Sequence, residues 1–510
     1  MKFFPKLLAA GVALATAQVA MAGTGVFFNP LTQSTAVAPS ANHVNELNSP
    51  WQVPAGVQYM NLTSLSEAEA DANQSIVRVS EEGVGGPSRL SNASMFDMIS
   101  FDETGSYIFI PHETFTGAGV SRYSFEEDKV EVLFSGDSGG LVGDWTNDWG
   151  AFDPSTYTPN GTLLLGEEWS GEGRIMEVLN PKAPVEEIQK RELHSIANVS
   201  HEGLRFSRDQ KTLYFVDENR SGSIYKFVMP VRGDYTKGQT FVLQVTAFDG
   251  DAVERFDREP NIGTTRTGEA VWVPLTDAEG NVLDGITNPF EVTAEDSRPG
   301  RTAADDVYAT PFGRPEDMEI GRLKNGNEVM YFAATSEQTV YSVEMTSAGT
   351  AFVREFASEA NTPKNLGFDE TTGVLNSPDN LAQDAYGNIY IIEDAPNSSD
   401  VGGDIWFVRD SDEDGVAESI DHFLSIQVPG AEATGMIFNP IFPTQFVVAV
   451  QHPASTNLEE TPEGFGDALW LFDLEDVVSP YKRSTWYGRN AWATQKRENE
   501  RIKRLIKATP

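Results

Sequence analysis

The sequence predicts an all-β fold, a six-bladed β-propeller with a lid-like insertion and a short C-terminal helix. Three observations point there. A unit of strand, tight turn, second strand and often a third strand recurs six times, at a spacing of about 50 residues. The turns carry Asn-Gly or Asp/Asn-x-Gly signals between short β-branched and aromatic runs, which read as hairpins. Acidic residues return at two equivalent positions of most units, and a propeller gathers such positions in one central channel. Hydrophobic residues at 40% and aromatics at 10% are enough for a packed core.

Along the chain, residues 1–22 read as a secretory signal peptide. Lys2 and Lys6 make a basic start, Leu7 to Ala20 is apolar, and Ala20-Met21-Ala22 is a small-x-small cleavage site. There is no twin arginine, so the general secretory route to the periplasm or medium is expected. No later stretch is apolar for the length of a membrane span. Residues 23–90 read as an extended segment that closes the fold. Residues 91–476 carry the six units: Phe101–Glu113, Tyr157–Glu168, Phe206–Glu218, Leu323–Thr335, Gln383–Asp394 and Phe438–His452. Third strands follow at Ser223–Val228, Val340–Glu344, Asp404–Val408 and Ala468–Phe472. The insertion, about 229–310, holds strands at Thr240–Val245 and Ala270–Leu275 and reads as the outer strand of the third unit plus a lid or side structure. Residues 477–510 form a basic tail in which Ile502, Leu505 and Ile506 have helical spacing.

The formal charge is −39. It repels nucleic acid and favours divalent cations. The chain has no cysteine, which excludes disulfides and a thiol nucleophile. No Gly-x-Ser-x-Gly elbow occurs.

The chemistry converges on two columns. The first, at the starts of the innermost strands, reads Phe96-Asp97, Trp149-Gly150, His201-Glu202, Glu316-Asp317, Asp379-Asn380 and Thr434-Gly435. The second, at the ends of the next strands, reads His112-Glu113, Glu167-Glu168, Asp217-Glu218, Glu393-Asp394 and Gln451-His452. Carboxylates collected in one channel do not stay ionised without cations. Oxygen-only ligands point to hard ions, calcium first. Phe312-Gly313-Arg314-Pro315-Glu316-Asp317 adds an arginine on a stiff turn. Arg314, with Arg220, can hold a phosphate or carboxylate. Arg314 and Glu316 are the candidate catalytic residues for metal-assisted hydrolysis of a small phosphorylated substrate. A second calcium signal is Asp410, Asp412, Asp414 and Gly415, with Asp421 at the twelfth position, in the D-x-D-x-D-G pattern.

Five stretches resemble the PhoX family of secreted alkaline phosphatases, over roughly residues 90 to 475. They are Gly166-Glu167-Glu168; His201-Glu202 leading to Asp217 and Arg220; Ala303-Ala304-Asp305 through Arg314 and Asp317; Ser377 to Leu381 through Glu393-Asp394; and Glu432 to Gly435 through Gln451-His452-Pro453. The resemblance implies a six-bladed propeller that hydrolyses phosphomonoesters with calcium and iron in its channel. It implies Glu167, Glu168, Glu202, Glu316, Asp317 and Glu393 as metal ligands and Arg314 as the phosphate contact. Asp379 and Asp394 join the ligand set from the columns. The resemblance also has a gap: Gly166 stands where phosphatase members carry an iron-binding cysteine. A calcium-binding propeller without turnover is the alternative from another class, and a lactonase- or phytase-type hydrolase is a third. A monomer is expected.

Overall fold

The computed structural model describes residues 26–34, 50–74, 76, 96–169, 171–394, 403–428, 430–451, 453 and 464–478. The expected signal peptide, nearly all of the basic tail with its helix, and His452 lie outside the described residues.

The N-terminal part contributes β1 (Trp51–Gln52), β2 (Gln58–Ser64) and helix α1 (Leu65–Ala72). The reading of 23–90 as merely extended misses α1. Its signal is Ser64-x-x-Glu67: the Glu67 N–H donates to Ser64 Oγ at 3.4 Å and the Ser64 N–H to Glu67 Oε2 at 3.2 Å. Asn73 in the left-handed region ends the helix.

One four-stranded sheet follows, β3 (Ser100–Phe101), β4 (Tyr107–Pro111), β5 (Gly119–Ser124) and β6 (Lys129–Ser135). A second holds β7 (Phe152–Tyr157), β8 (Leu163–Glu167), β9 (Ile175–Val178) and β10 (Lys190–Glu192). Next come β11 (His201–Phe206), β12 (Thr212–Asp217), β13 (Ile224–Val228), β14 (Gln239–Val245) and β15 (Gly268–Pro274). Helix α2 (Pro299–Asp306) leads to β16 (Pro315–Arg322), β17 (Glu328–Ala334), β18 (Thr339–Met345) and β19 (Thr350–Ser358). A further sheet holds β20 (Pro378–Gln383), β21 (Ile389–Glu393), β22 (Asp404–Arg409) and β23 (Ser419–Ile426), with β1 on its outer edge. The last holds β24 (Glu432–Phe438), β25 (Gln445–Gln451) and β26 (Ala468–Asp473), and β2 completes it by pairing Gln58 with Asp473 through to Ser64 with Ala468.

The fold is all-β and propeller-like, but among the described residues the sheets number five and not six. Strands β11 to β19 form one nine-stranded sheet in the order β11-β12-β13-β14-β15-β19-β18-β17-β16. The cause is β15, which lies in the insertion. It pairs with β14 on one side and with β19 on the other, so two outer edges that would face solvent are consumed. The insertion is also less free than a lid. Ala303 and Ala304 of α2 are buried in the core, and Arg301 donates to both oxygens of Asp217 at 2.6 and 2.7 Å.

The sheets pack against one another through apolar clusters, so their second strands read as continuous apolar runs and not as alternating ones. Phe446 to Val450 of β25 and Ile389 to Ile392 of β21 are buried throughout. The innermost strands touch their neighbours in turn around the channel. Ser155 N–H donates to Met98 O at 3.2 Å, Thr156 Oγ1 to Leu204 O at 2.5 Å, Leu381 N–H to Asp317 Oδ2 at 3.1 Å, and Thr434 Oγ1 to Phe96 O at 3.0 Å. Strand β11 lies closest to β16 at Gly203, where a Cβ would stand 2.9 Å from Asp317 Cα and 3.0 Å from Met318 N. Gly203→Ala therefore forces two backbones apart. A loss of about 1–3 kcal/mol is expected, read as a lower denaturant midpoint; an unchanged midpoint would mean the inner strands can spread freely.

Candidate metal centre

The channel side chains are aimed by one repeated backbone device. Five innermost strands carry a β-bulge at their start, between Phe152 and Ser155, Glu202 and Leu204, Pro315 and Met318, Pro378 and Leu381, and Ala433 and Met436. A bulge inserts an extra residue and redirects its side chain. Asp153, Glu202, Glu316 and Asp379 sit at these bulges. In three of the strands the preceding residue is left-handed without being glycine: Ala151 (φ 45°), Arg314 (φ 55°) and Ser377 (φ 53°). Such a conformation costs roughly 1–2 kcal/mol for an L-residue, and strain of this kind clusters at functional sites.

A second device joins the two columns. Glu168 N–H donates to Ala151 O at 2.8 Å, Glu218 N–H to Ser200 O at 2.8 Å, Thr335 N–H to Arg314 O at 3.0 Å and Asp394 N–H to Ser377 O at 2.9 Å. Each bond brings the end of a second strand beside the start of a first strand. Successive residues of a strand face opposite ways, so the paired acids divide their duties. Glu168, Glu218 and Asp394 face the channel groups, and their neighbours face inward. Glu167 is gripped by Arg174 at 2.7 and 2.9 Å and by the Gly150 N–H at 3.0 Å. Asp217 is held by Arg301. Glu393 accepts from Trp406 Nε1 at 2.8 Å and from the Asn376 N–H at 2.9 Å. Asp317, next to Glu316, is tied to Arg205 at 3.1 Å. Three expected ligands, Glu167, Asp317 and Glu393, thus have interior partners instead and are outside the channel groups.

Three overlapping groups of carboxylates remain, each with ligand atoms within 4.8 Å of one another: Asp97, Glu113 and Asp153; Asp153, Glu168 and Glu202; Glu202, Glu316 and Asp379. Asp97, Asp153, Glu202 and Glu316 are buried, while Glu113, Glu168 and Asp379 keep some exposure. Asp153 and Glu202 are each shared by two groups. Burial, and then the charges of neighbouring acids, push Asp97, Asp153, Glu168, Glu202, Glu316 and Asp379 well above the ordinary carboxylate range. Asp153 Oδ1 and Asp379 Oδ1 are buried without a hydrogen-bond partner. Orphaned carboxylate oxygens among like charges fit a cation and little else.

Arg314 stands at the edge of this cluster. Its Nε donates to Glu218 and lies 3.2 Å from Glu316 Oε1, and Nη1 is 3.8 Å from Asp394 Oδ2. Arg220 is exposed in a turn whose Asn219 carbonyl accepts from the Arg314 N–H at 2.9 Å, and its own carbonyl accepts from the Phe256 N–H. The two described histidines of the columns face elsewhere: His112 bonds Ser121 at 2.8 Å, and buried His201 lies against Phe215 with its pKa pushed down to about 3 by burial.

The columns read from the sequence need two corrections. The second unit contributes Asp153, not Trp149-Gly150, and the last contributes Glu432, which feels the charges of Asp394 and Glu113, not Thr434-Gly435. The signal was present as Phe96-Asp97, Phe152-Asp153, His201-Glu202, Pro315-Glu316 and Pro378-Asp379, an acid behind a ring or proline in five of the six units, with Ala431-Glu432 the exception. In the separate loop, Asp410, Asp412 and Glu418 converge. Asp414 instead accepts from the Val416 N–H, and Asp421 on β23 is clamped by Arg409 at 2.7 to 3.0 Å. The hairpin between β22 and β23 prevents the helix-flanked geometry that would bring the twelfth residue round.

A family model described as alkaline phosphatase PhoX matches residues 126–454. The chain belongs to the PhoX family. PhoX phosphatases are metal-dependent, and in this PhoX chain the acidic groups could hold the metal. Family membership implies small phosphorylated substrates. No curated protein matches the chain. Among solved structures, it is similar to a gluconolactonase from Xanthomonas campestris (11% identity, 88% of this chain and 96% of the other, TM-score 0.40). It is also similar to a streptogramin B lyase (10% identity, 76% and 95%, TM-score 0.36) and to the β-propeller domain of Cps50 from Myceliophteria thermophila (8% identity, 74% and 97%, TM-score 0.34).

The division of the acids is measurable. With chelator present at pH 8, Glu202→Gln should raise the unfolding temperature by roughly a few degrees, because each unit of pKa elevation removed is worth about 1.4 kcal/mol. Burial raises Glu167 as well, but Arg174 opposes it, so Glu167→Gln should lower the temperature by leaving Arg174 without its charged partner. Equal effects of the two substitutions would contradict the assignment.

Proposed function

We propose that the protein is an exported, metal-dependent phosphatase that hydrolyses phosphomonoesters in the channel of a six-bladed propeller, with β11–β14 and β16–β19 counted as two blades joined by β15. The observation that carries this reading is the guanidinium of Arg314, on a strained turn beside three overlapping carboxylate groups. The basic start and apolar run before Gly23 support export. Among the described residues no helix is long and apolar enough to cross a membrane.

The residues that would hold cations are Asp97, Glu113, Asp153, Glu168, Glu202, Glu316 and Asp379. Their donors are all oxygens, which suits calcium. Iron held by a thiolate does not fit: the chain has no cysteine, and at Gly166 a Cβ would stand 2.8 Å from His201 Cβ and Pro154 Cγ. Divalent cations bound there supply charge neutralisation and Lewis-acid polarisation of a phosphoryl oxygen. Arg314 does the rest of the anion binding. Glu218 and Glu316 fix its Nε side, which holds the plane of the guanidinium and presents the Nη edge to an oxyanion. The burial of Asp97, Asp153, Glu202 and Glu316 keeps water from screening these charges, so each acts at short range. Asp410, Asp412 and Glu418 are proposed as a separate structural calcium site.

The second reading, a cation-binding propeller without turnover, draws on Gly166. The two separate on an assay of phosphomonoester hydrolysis with calcium supplied: turnover selects the phosphatase, and none selects the binding protein.

Under either reading, excess chelator should lower the melting temperature, because ions that bind only the folded state stabilise it by mass action. A thousandfold excess of ion over its Kd corresponds to about 4 kcal/mol, and calorimetry with and without chelator reads the loss. Arg314→Ala should cut kcat/KM by on the order of a hundredfold or more while metal content is retained. Arg314→Lys should recover little, because an ammonium lacks the planar fork. Arg314→Ala turnover equal to wild type would remove the arginine from the mechanism.

A further inference from the structure

We propose that Phe115 and Trp169 form a subsite for a flat aromatic ring on the organic part of the phosphomonoester, an inference that rests on the phosphatase reading above. Phe115 is 71% exposed, a large apolar side chain left in water on a chain of net charge −39. It is not a stray surface residue. Its ring meets Trp169 edge-on at 4.7 Å and 76°, and Trp169 continues to Trp145 at 5.2 Å and 54°. Two of the three rings lie on the chain segments that carry the acidic centre. Phe115 follows Glu113 by two residues, Trp169 follows Glu168 directly, and Trp169 is seated over Gly150, three residues before Asp153. Two residues of chain span at most about 7 Å, so the backbones of Phe115 and Trp169 lie within that reach of Glu113 and Glu168, which belong to the first two groups. Gly150 makes the seat possible, because a Cβ there would lie 2.7 Å from Trp169 Cε3.

The placement suits a substrate with two unlike ends. The phosphoryl end enters among Arg314 and the acids. The ester oxygen carries the organic group outward, toward the rim, where an otherwise acidic surface offers neutral rings. Aromatic side chains bind any flat π-face, without regard to its hydrogen-bonding groups. The chemical class is therefore a ring-bearing phosphomonoester, either a nucleotide or an aryl phosphate.

The test compares adenosine 5′-monophosphate, phenyl phosphate and glycerol 2-phosphate on the calcium-loaded full chain. The wild type should prefer the ring-bearing esters. In Phe115→Ala and Trp169→Ala the ratio of kcat/KM for the ring-bearing ester to that for glycerol 2-phosphate should fall roughly tenfold, carried by KM. Phe115→Tyr should restore it. A fall confined to adenosine 5′-monophosphate makes the occupant a nucleobase, and one confined to phenyl phosphate makes it an aryl leaving group. If the wild type hydrolyses none of the three, the phosphatase reading fails, and calorimetric binding of the same compounds decides the subsite on its own. A ring preference lost in Phe115→Ala supports it. A ratio, by turnover or by binding, that neither alanine variant changes overturns it.

Discussion

The channel depends on like charges held closer than they would stand by choice. Asp153 belongs to one carboxylate trio with Asp97 and Glu113 and to another with Glu168 and Glu202, and Glu202 belongs to a third. Water cannot screen them, since most are buried. Only a scaffold whose inner strands are locked to one another can hold such a set. The locks are visible: bonds from Ser155, Thr156, Leu381 and Thr434 tie each unit to its neighbour, and backbone bonds at Ala151, Ser200, Arg314 and Ser377 fix the first strand to the second within a unit. The packed apolar faces between sheets provide the stability that the centre spends.

Pairs of adjacent acids show how one fold serves two needs with the same residue type. In Glu167-Glu168, Asp217-Glu218 and Glu393-Asp394 the first acid braces a sheet through Arg174, Arg301 or Trp406, and its successor points into the channel. The order reverses on the first column, where Glu316 faces the channel and Asp317 braces Arg205. A carboxylate with a buried guanidinium and one among other carboxylates have opposite electrostatic surroundings although one peptide bond separates them.

Much of this was legible from residues alone. The recurring hairpins gave the all-β propeller-like architecture, and the recurring acids gave the channel. Which member of each acid pair faces the channel was not legible, because alternation fixes only that the two differ, and their partners Arg174, Arg301 and Trp406 are set by the fold. The bulge between Phe152 and Ser155 concealed Asp153 behind Trp149-Gly150. The nine-stranded sheet was hidden for a different reason. Strand β15 reads like any outer strand, and only its second partner, β19, lying about eighty residues on, makes it a bridge. Helix α1 was missed because the Asn- and Ser-rich stretch before it dominated the reading, although Ser64 and Glu67 form a plain capping box.

The pairing of β2 with β26 sets the timing of assembly. The two strands stand roughly four hundred residues apart, yet they share one sheet. A chain made from its N-terminus must carry β2 without its partner until almost all of the rest exists. Pairing of such long range is slow, since loop closure precedes any gain from contact. The ring therefore closes last, and with it the approach of Phe96 to Thr434. An unfinished chain keeps its channel open on one side, so its acids remain wet and apart, and their crowding begins only when the molecule is whole.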